Sequence, residues 1–123
     1  MAIPGKTVVQ CSNDPQLGGD PTKYNPEDLL ISAISSCHML WYLHLCANAG
    51  ITVVSYEDNP VGIGECEPSG RGRFIEAILN PSVTISPGDD KEKAKSIHDE
   101  IHEYCFIGRS VNFPIRHKAT IVL

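Results

Sequence analysis

An α+β fold organised on one long buried helix is predicted by three features of the sequence. No charged residue occurs between Leu29 and Tyr56, and the first part of that run has the length of a long helix. Short β-branched runs broken by Gly and Pro occupy residues 52–86, and a second, amphipathic helical pattern opens at Pro87. With no internal repeat, low-complexity tract or linker, the strands are expected to be antiparallel within a single domain covering residues 1–123.

The first helix has a start and a stop. Asn25 suits the N-cap, Pro26 the first helical position, and Glu27 and Asp28 place negative charge on the positive end of the dipole. Gly50 supplies the left-handed residue that closes many helices, which gives a body of roughly 24 residues and about 36 Å. A chain of 123 residues covers such an element poorly by itself, so an oligomer is expected. The run is long enough to span a bilayer. Hydrocarbon would penalise Ser32, Ser35, Ser36, His38, His44 and Asn48, however, and no Lys or Arg cluster follows, so burial in a soluble assembly is the expectation and a membrane is not.

The remaining elements follow in order. Lys6–Gln10 reads as a short strand, and Ser12–Pro15 and Leu17–Pro21 as turns and loop. After the helix, Thr52–Glu57 reads as a strand, with Val61–Cys66 as its partner beyond the Asp58-Asn59-Pro60 turn. Glu67–Gly72 makes another turn, leading to strands over Arg73–Asn80 and Ser82–Ser86. The second helix runs from Pro87-Gly88-Asp89-Asp90 to about Phe106, with Ala94, Ile97 and Ile101 inward and Lys91, Glu92, Lys93, Lys95, Asp99, Glu100 and Glu103 on a solvated face. Gly108 ends it, and Thr120–Leu123 reads as a final strand.

A formal charge of −5 and a pI near 5.4 argue against nucleic acid or an anionic membrane as partner, since either calls for a basic face. The five cysteines are an odd number, and Met1-Ala2-Ile3-Pro4 has no basic n-region or apolar core, so a reducing cytoplasm is expected. Cys37 lies mid-helix, where the plain reading is a small core residue. Cys105, near the end of the second helix, opens another reading, because two packed helices can bring these sulfurs together. Cys46 cannot pair with Cys37, since about 13 Å separates them along one helix and bridged Cα atoms lie within about 7 Å. Cys11 and Cys66 read as incidental.

Asn25-Pro26-Glu27-Asp28-Leu29-Leu30, Ser35-Ser36-Cys37-His38-Met39-Leu40, Ser55-Tyr56-Glu57-Asp58, His102–Ile107 and Ser110–Pro114 occur in that order. Together they resemble the OsmC/Ohr family of osmotically induced and organic-hydroperoxide-resistance proteins, in its OsmC-like branch. The resemblance implies an intertwined homodimer in which antiparallel sheet wraps the long central helices. It also implies a thiol peroxidase in oxidative stress defence, with Cys37 as the peroxidatic residue, Cys105 as the resolving residue and Glu27 as an acidic partner of the reactive cysteine. An organic hydroperoxide would be the substrate and an external dithiol the reductant, with no cofactor and no metal. Glu27 lies about 15 Å along the helix from Cys37, so it could reach that thiol only from a second subunit.

Family members usually carry an arginine in an N-terminal strand region, whereas only Lys6 and Lys23 precede the helix here and the first arginine is Arg71. That leaves a shortened N-terminal region, a substitute among Arg71, Arg73, Arg109 and Arg116, or reduced activity as open readings. Loss of the arginine also keeps open a non-catalytic dimer that binds a small apolar or redox ligand in the same cleft. A third class comes from His98, His102 and Cys105, which fall on one helical stripe with zinc-like ligand types. His98-Asp99-Glu100-Ile101-His102 departs from the zincin spacing, which discounts a metalloprotease.

Overall fold

The computed structural model describes residues 1–123. Helix α1 spans Pro26–Asn48, helix α2 Lys91–Ile97, and the strands are β1 Val53–Glu57, β2 Val61–Cys66, β3 Gly72–Leu79, β4 Ser82–Ile85, β5 Ile115–His117 and β6 Thr120–Val122. The start of α1 is a reciprocal capping box: the Asp28 N–H donates to Asn25 Oδ1 at 2.7 Å and the Asn25 N–H donates to Asp28 Oδ2 at 3.1 Å. Gly50, at φ 74°, turns the chain out of the helix. We expect Asn25→Ala to cost roughly 0.5–2 kcal/mol in a urea melt, with little change in the denaturant slope.

Two three-stranded sheets form, in the orders β1-β4-β6 and β2-β3-β5. This corrects two expectations. The strands β1 and β2 lie in different sheets instead of pairing, because the turn between them is used as a corner. Asp58 accepts from the Asn80 N–H at 2.7 Å and from Ser35 Oγ at 2.6 Å, tying that turn to α1 and to the bend between β3 and β4. The sheets are also mixed instead of antiparallel: β1–β4 and β2–β3 are antiparallel, while β3–β5 and β4–β6 are parallel. The parallel pairs arise because the C-terminal chain runs alongside the β3–β4 corner, with the Lys118 N–H donating to Leu79 O at 2.8 Å and the Thr120 N–H to Pro81 O at 2.9 Å.

The core has two lobes along α1. Ile31 and Ile34 pack with Ala77 and Leu79 of the second sheet. Tyr42 and Cys46 pack with Val83, Ile85, Ala94, Ile97 and Ile101, joining α1 to the first sheet and α2. The buried positions Ile31, Ile34, His38, Tyr42 and Cys46 form one stripe of the helix. Burial on all sides, as expected from the uncharged run, does not occur within one chain, and Leu40 is 61% exposed.

Two further expectations change. Lys6–Gln10 forms no strand: Val9 O accepts from the amino group of Met1, and the nearest sheet-like contact is an isolated bridge between Cys11 and Tyr24. The second helix ends at Ile97 and tightens into a 3₁₀ stretch over His98–Glu103. With three residues per turn, His98 and Ile101 share the buried face and His102 turns outward.

Candidate redox site

Cys37 sits half-buried in the middle of α1, and Cys105 lies buried just after the 3₁₀ stretch. Cys37 packs against the lobe of the core that contains Cys105. Burial, followed by hydrogen bonding with Cys37, pushes the Cys105 thiol up to about 11, against the opposing pull of the Gly108 and Ile107 N–H groups. At neutral pH Cys105 is therefore protonated and ill-suited to attack first. Its Sγ accepts from the Gly108 N–H at 3.2 Å. Glycine leaves room for that approach, since a Cβ at position 108 would stand 3.2 Å from Sγ and 3.3 Å from Ile115 Cδ1, tight enough that these side chains would have to shift by a few tenths of an ångström.

All five cysteines are free thiols. Cys46 is buried, and burial raises its thiol, while Cys11 and Cys66 are exposed. The structure thus brings Cys37 and Cys105 together and leaves the other three apart. Glu27 stands exposed in the first turn of α1, a helix length of about 15 Å from Cys37. Arg73 pairs with Glu65 at 2.9 Å and Arg116 with Glu76 at 3.4 Å, while Arg109 donates to Glu103 O at 3.2 Å and its backbone N–H to Cys105 O at 3.0 Å. Arg71 is exposed beside the β2–β3 turn.

Beside Cys105 lies a feature that the sequence reading missed. His38, from α1, and His98, from the 3₁₀ stretch, meet through Nε2 and Nδ1 at 2.9 Å with their rings 8° from coplanar. His98 also stacks on Tyr42 at 4.0 Å, and Tyr42 Oη donates to Ala94 O at 2.9 Å. His117, from β5, closes the cluster with its ring 5.9 Å from His38 and 5.8 Å from His98, and is held by Asp99 at 3.0 Å. Burial lowers His38 to about 4 and His98 to about 3, with neighbouring imidazoles contributing, so both rings are neutral at pH 7. A signal for His38 was present, because it shares the stripe of Ile34 and Tyr42.

The three imidazoles and Cys105 border a cavity of about 220 Å³ whose apolar wall is Ile34, Leu79, Ile101, Phe113 and Ile115. Cys37 does not border it. His98, His102 and Cys105 face this one cavity, yet no three ligating side chains converge on a point that could hold a metal ion. The reason is local: His98 Nδ1 is engaged with His38, and the 3₁₀ twist turns His102 toward solvent.

Two small mixed sheets on a long helix, with a half-buried helix thiol beside a second, buried one, define an α+β domain. The chain belongs to the OsmC-like family, whose model, described as OsmC-like protein, matches residues 18–120. Among solved structures it is similar to an OsmC-like protein of unknown function from Vibrio cholerae, at 29% identity and TM-score 0.85, covering 94% of this chain and 79% of that one. An OsmC-like protein from Mycoplasma pneumoniae shares the fold at 17% identity and TM-score 0.80, covering 98% and 86%. So does an organic hydroperoxide resistance protein, OsmC, from Legionella pneumophila, at 16% identity and TM-score 0.67, covering 91% and 79%. No curated protein matches the chain.

Proposed function

We propose that this protein is a thiol-dependent peroxidase that reduces organic hydroperoxides through Cys37 and Cys105 in the defence of the cytoplasm against oxidative stress. The observation that carries the reading is the neighbourhood of these two thiols, which come from separate elements of the fold. The name of the Legionella neighbour, an organic hydroperoxide resistance protein, points the same way. The Cys37 thiolate attacks the terminal peroxide oxygen, the O–O bond breaks, and the alkoxide takes a proton to leave as the alcohol. Cys37 is then a sulfenic acid. Cys105 attacks that sulfur, an S–S bond forms, and water departs with the sulfenic oxygen. An external dithiol returns both residues to thiols.

The working unit is a homodimer with two intersubunit sites, in which Glu27 of each chain serves the Cys37 of the other. Leu40 on the outer face of α1 and Phe106, 77% exposed, supply apolar surface for that association. A competing reading, a non-catalytic dimer that binds a small apolar or redox ligand, is favoured by the pairing of Arg73 with Glu65 and of Arg116 with Glu76. Turnover by the wild type separates the two. In Cys105→Ser, a dimedone-reactive sulfenic acid should persist at Cys37 after one equivalent of cumene hydroperoxide, whereas normal dithiol-supported cycling would overturn the resolving role. Mixed Cys37→Ser and Glu27→Ala chains should regain one intact site per heterodimer, and a complete lack of complementation would count against the intersubunit site.

A further inference from the structure

The 3₁₀ stretch that leads to Cys105 is weak by itself. Runs of 3₁₀ geometry beyond three or four residues are uncommon because their hydrogen bonds are poorly aligned, and this one continues for six residues, His98–Glu103, with no side-chain cap at its start. Its conformation therefore depends on what it packs against. Only His98 and Ile101 of the stretch are buried. Ile101 packs by apolar contact, which has no preferred direction. His98 is held directionally, by the 2.9 Å contact of its Nδ1 with His38 Nε2 and by its stack on Tyr42 at 4.0 Å.

The two ends of that contact lie on the two thiol-bearing segments. His38 is the residue after Cys37, and the stretch that His98 opens leads to Cys105, whose N–H donates to Ile101 O at 3.0 Å. The other polar tie between α1 and this part of the chain, from Tyr42 Oη to Ala94 O, falls earlier, within α2. We propose that the His38–His98 contact is a latch between α1 and the 3₁₀ stretch that holds Cys105 in register with Cys37, which makes both histidines positioning residues for the thiol pair.

Space filling does not account for two imidazoles at this place. Burial takes their nitrogens out of water, and His98 Nε2 is buried with no hydrogen-bond partner. Apolar side chains would fill the volume without that cost, since replacing both partners of a buried hydrogen bond by apolar groups of the same shape is often nearly neutral. What the imidazoles add is direction. The bond needs one ring nitrogen that donates and one that accepts, which two neutral rings supply, and burial keeps both neutral at pH 7.

The latch rests on the Cys37–Cys105 reading and deepens it, so the test measures the pair's disulfide equilibrium and not peroxide turnover. Full-length protein is equilibrated with reduced and oxidised glutathione, quenched in acid and mapped by peptide mass spectrometry. Two glutathiones reduce the protein disulfide and leave as one glutathione disulfide, so the balance point reports how well the fold holds the two sulfurs together. His98→Leu and His98→Asn are matched in shape, as are His38→Met and His38→Gln, and only the amide of each pair can keep a bond across the latch. The equilibrium constant for disulfide formation should fall by about tenfold or more in the Leu and Met variants and stay within about threefold of wild type in the Asn and Gln variants. Asn25→Ala, which weakens the far end of α1, should leave it unchanged. Equal constants within both matched pairs overturn the latch, as does a fall in Asn25→Ala as large as that in His98→Leu. A wild type that forms no Cys37–Cys105 disulfide at any glutathione ratio overturns the thiol-pair reading and the latch with it, whereas a disulfide indifferent to all four histidine variants overturns the latch alone. Near-UV circular dichroism checks each fold, and the two matched pairs are independent, so if one pair misfolds the other decides.

Discussion

Cys37→Ser should abolish reduction of an organic hydroperoxide supported by a dithiol, lowering kcat/KM on the order of 10³-fold or more, since a hydroxyl at neutral pH cannot replace a thiolate attacking oxygen. The fold should survive, because Cys37 is half-buried and serine is close to it in size. Steady-state turnover with cumene hydroperoxide checks the loss, and far-UV circular dichroism checks the fold. Wild-type rates in the variant would remove Cys37 from the chemistry. Burial that holds Cys105 up to about 11 makes it a poor substitute attacker, so no residual cycle through Cys105 alone is expected.

Acid should destabilise the protein through the buried imidazoles. His38 and His98 have folded-state values near 4 and 3, below the ordinary value of 6.5, so the unfolded chain binds protons that the folded chain refuses. Their contribution is therefore fully present above about pH 6.5 and is lost as pH falls toward the folded values, at about 1.4 kcal/mol per pH unit for each ring that must titrate. The His38 and His98 rings meet at 2.9 Å, so a charge on one makes a charge on the other costlier. Urea midpoints should drop steeply between pH 6.5 and 4.5 in the wild type. In His98→Phe the same interval should show a shallower fall, which separates the imidazole part from the titration of surface carboxylates. Parallel curves for the two proteins would show that the cluster does not sense pH.

Much of the helix was legible because its signals are local. Asn25, Pro26 and Asp28 cap, start and charge α1 within a single turn, and Gly50 closes it. Strand positions were legible for the same reason, as in Val61–Cys66, bounded by Pro60 and the Glu67–Gly72 turn. Pairing was not, because it depends on contacts between distant residues. The choice of β4 over β2 as the neighbour of β1 follows from Asp58 binding Asn80 and Ser35, which no periodicity reveals. The second helix was read too long because the apolar spacing of Ala94, Ile97 and Ile101 suits either an α-helical or a 3₁₀ continuation. That one change of twist buried His98 against His38 and turned His102 outward, converting an apparent ligand stripe into a neutral imidazole pair.

The site divides in the same way. The likeness of the Cys-His-Met-Leu and Tyr-Cys-Phe-Ile segments to OsmC-like sequences singled out Cys37 and Cys105, and in the fold the two are neighbours. Gly108 was legible only as a helix stop, yet its N–H contacts the Cys105 sulfur and its lack of a side chain permits the approach. His117 could not have been placed in the cluster from sequence, since β5 reaches it through a parallel pairing with β3.

Peptide mapping after one equivalent of cumene hydroperoxide, with free thiols blocked before digestion, tests the redox pair most directly. The account predicts a disulfide joining the peptides that contain Cys37 and Cys105, with Cys11, Cys46 and Cys66 recovered as blocked thiols. Recovery of Cys37 and Cys105 as free thiols, or a disulfide through any other cysteine, would contradict it.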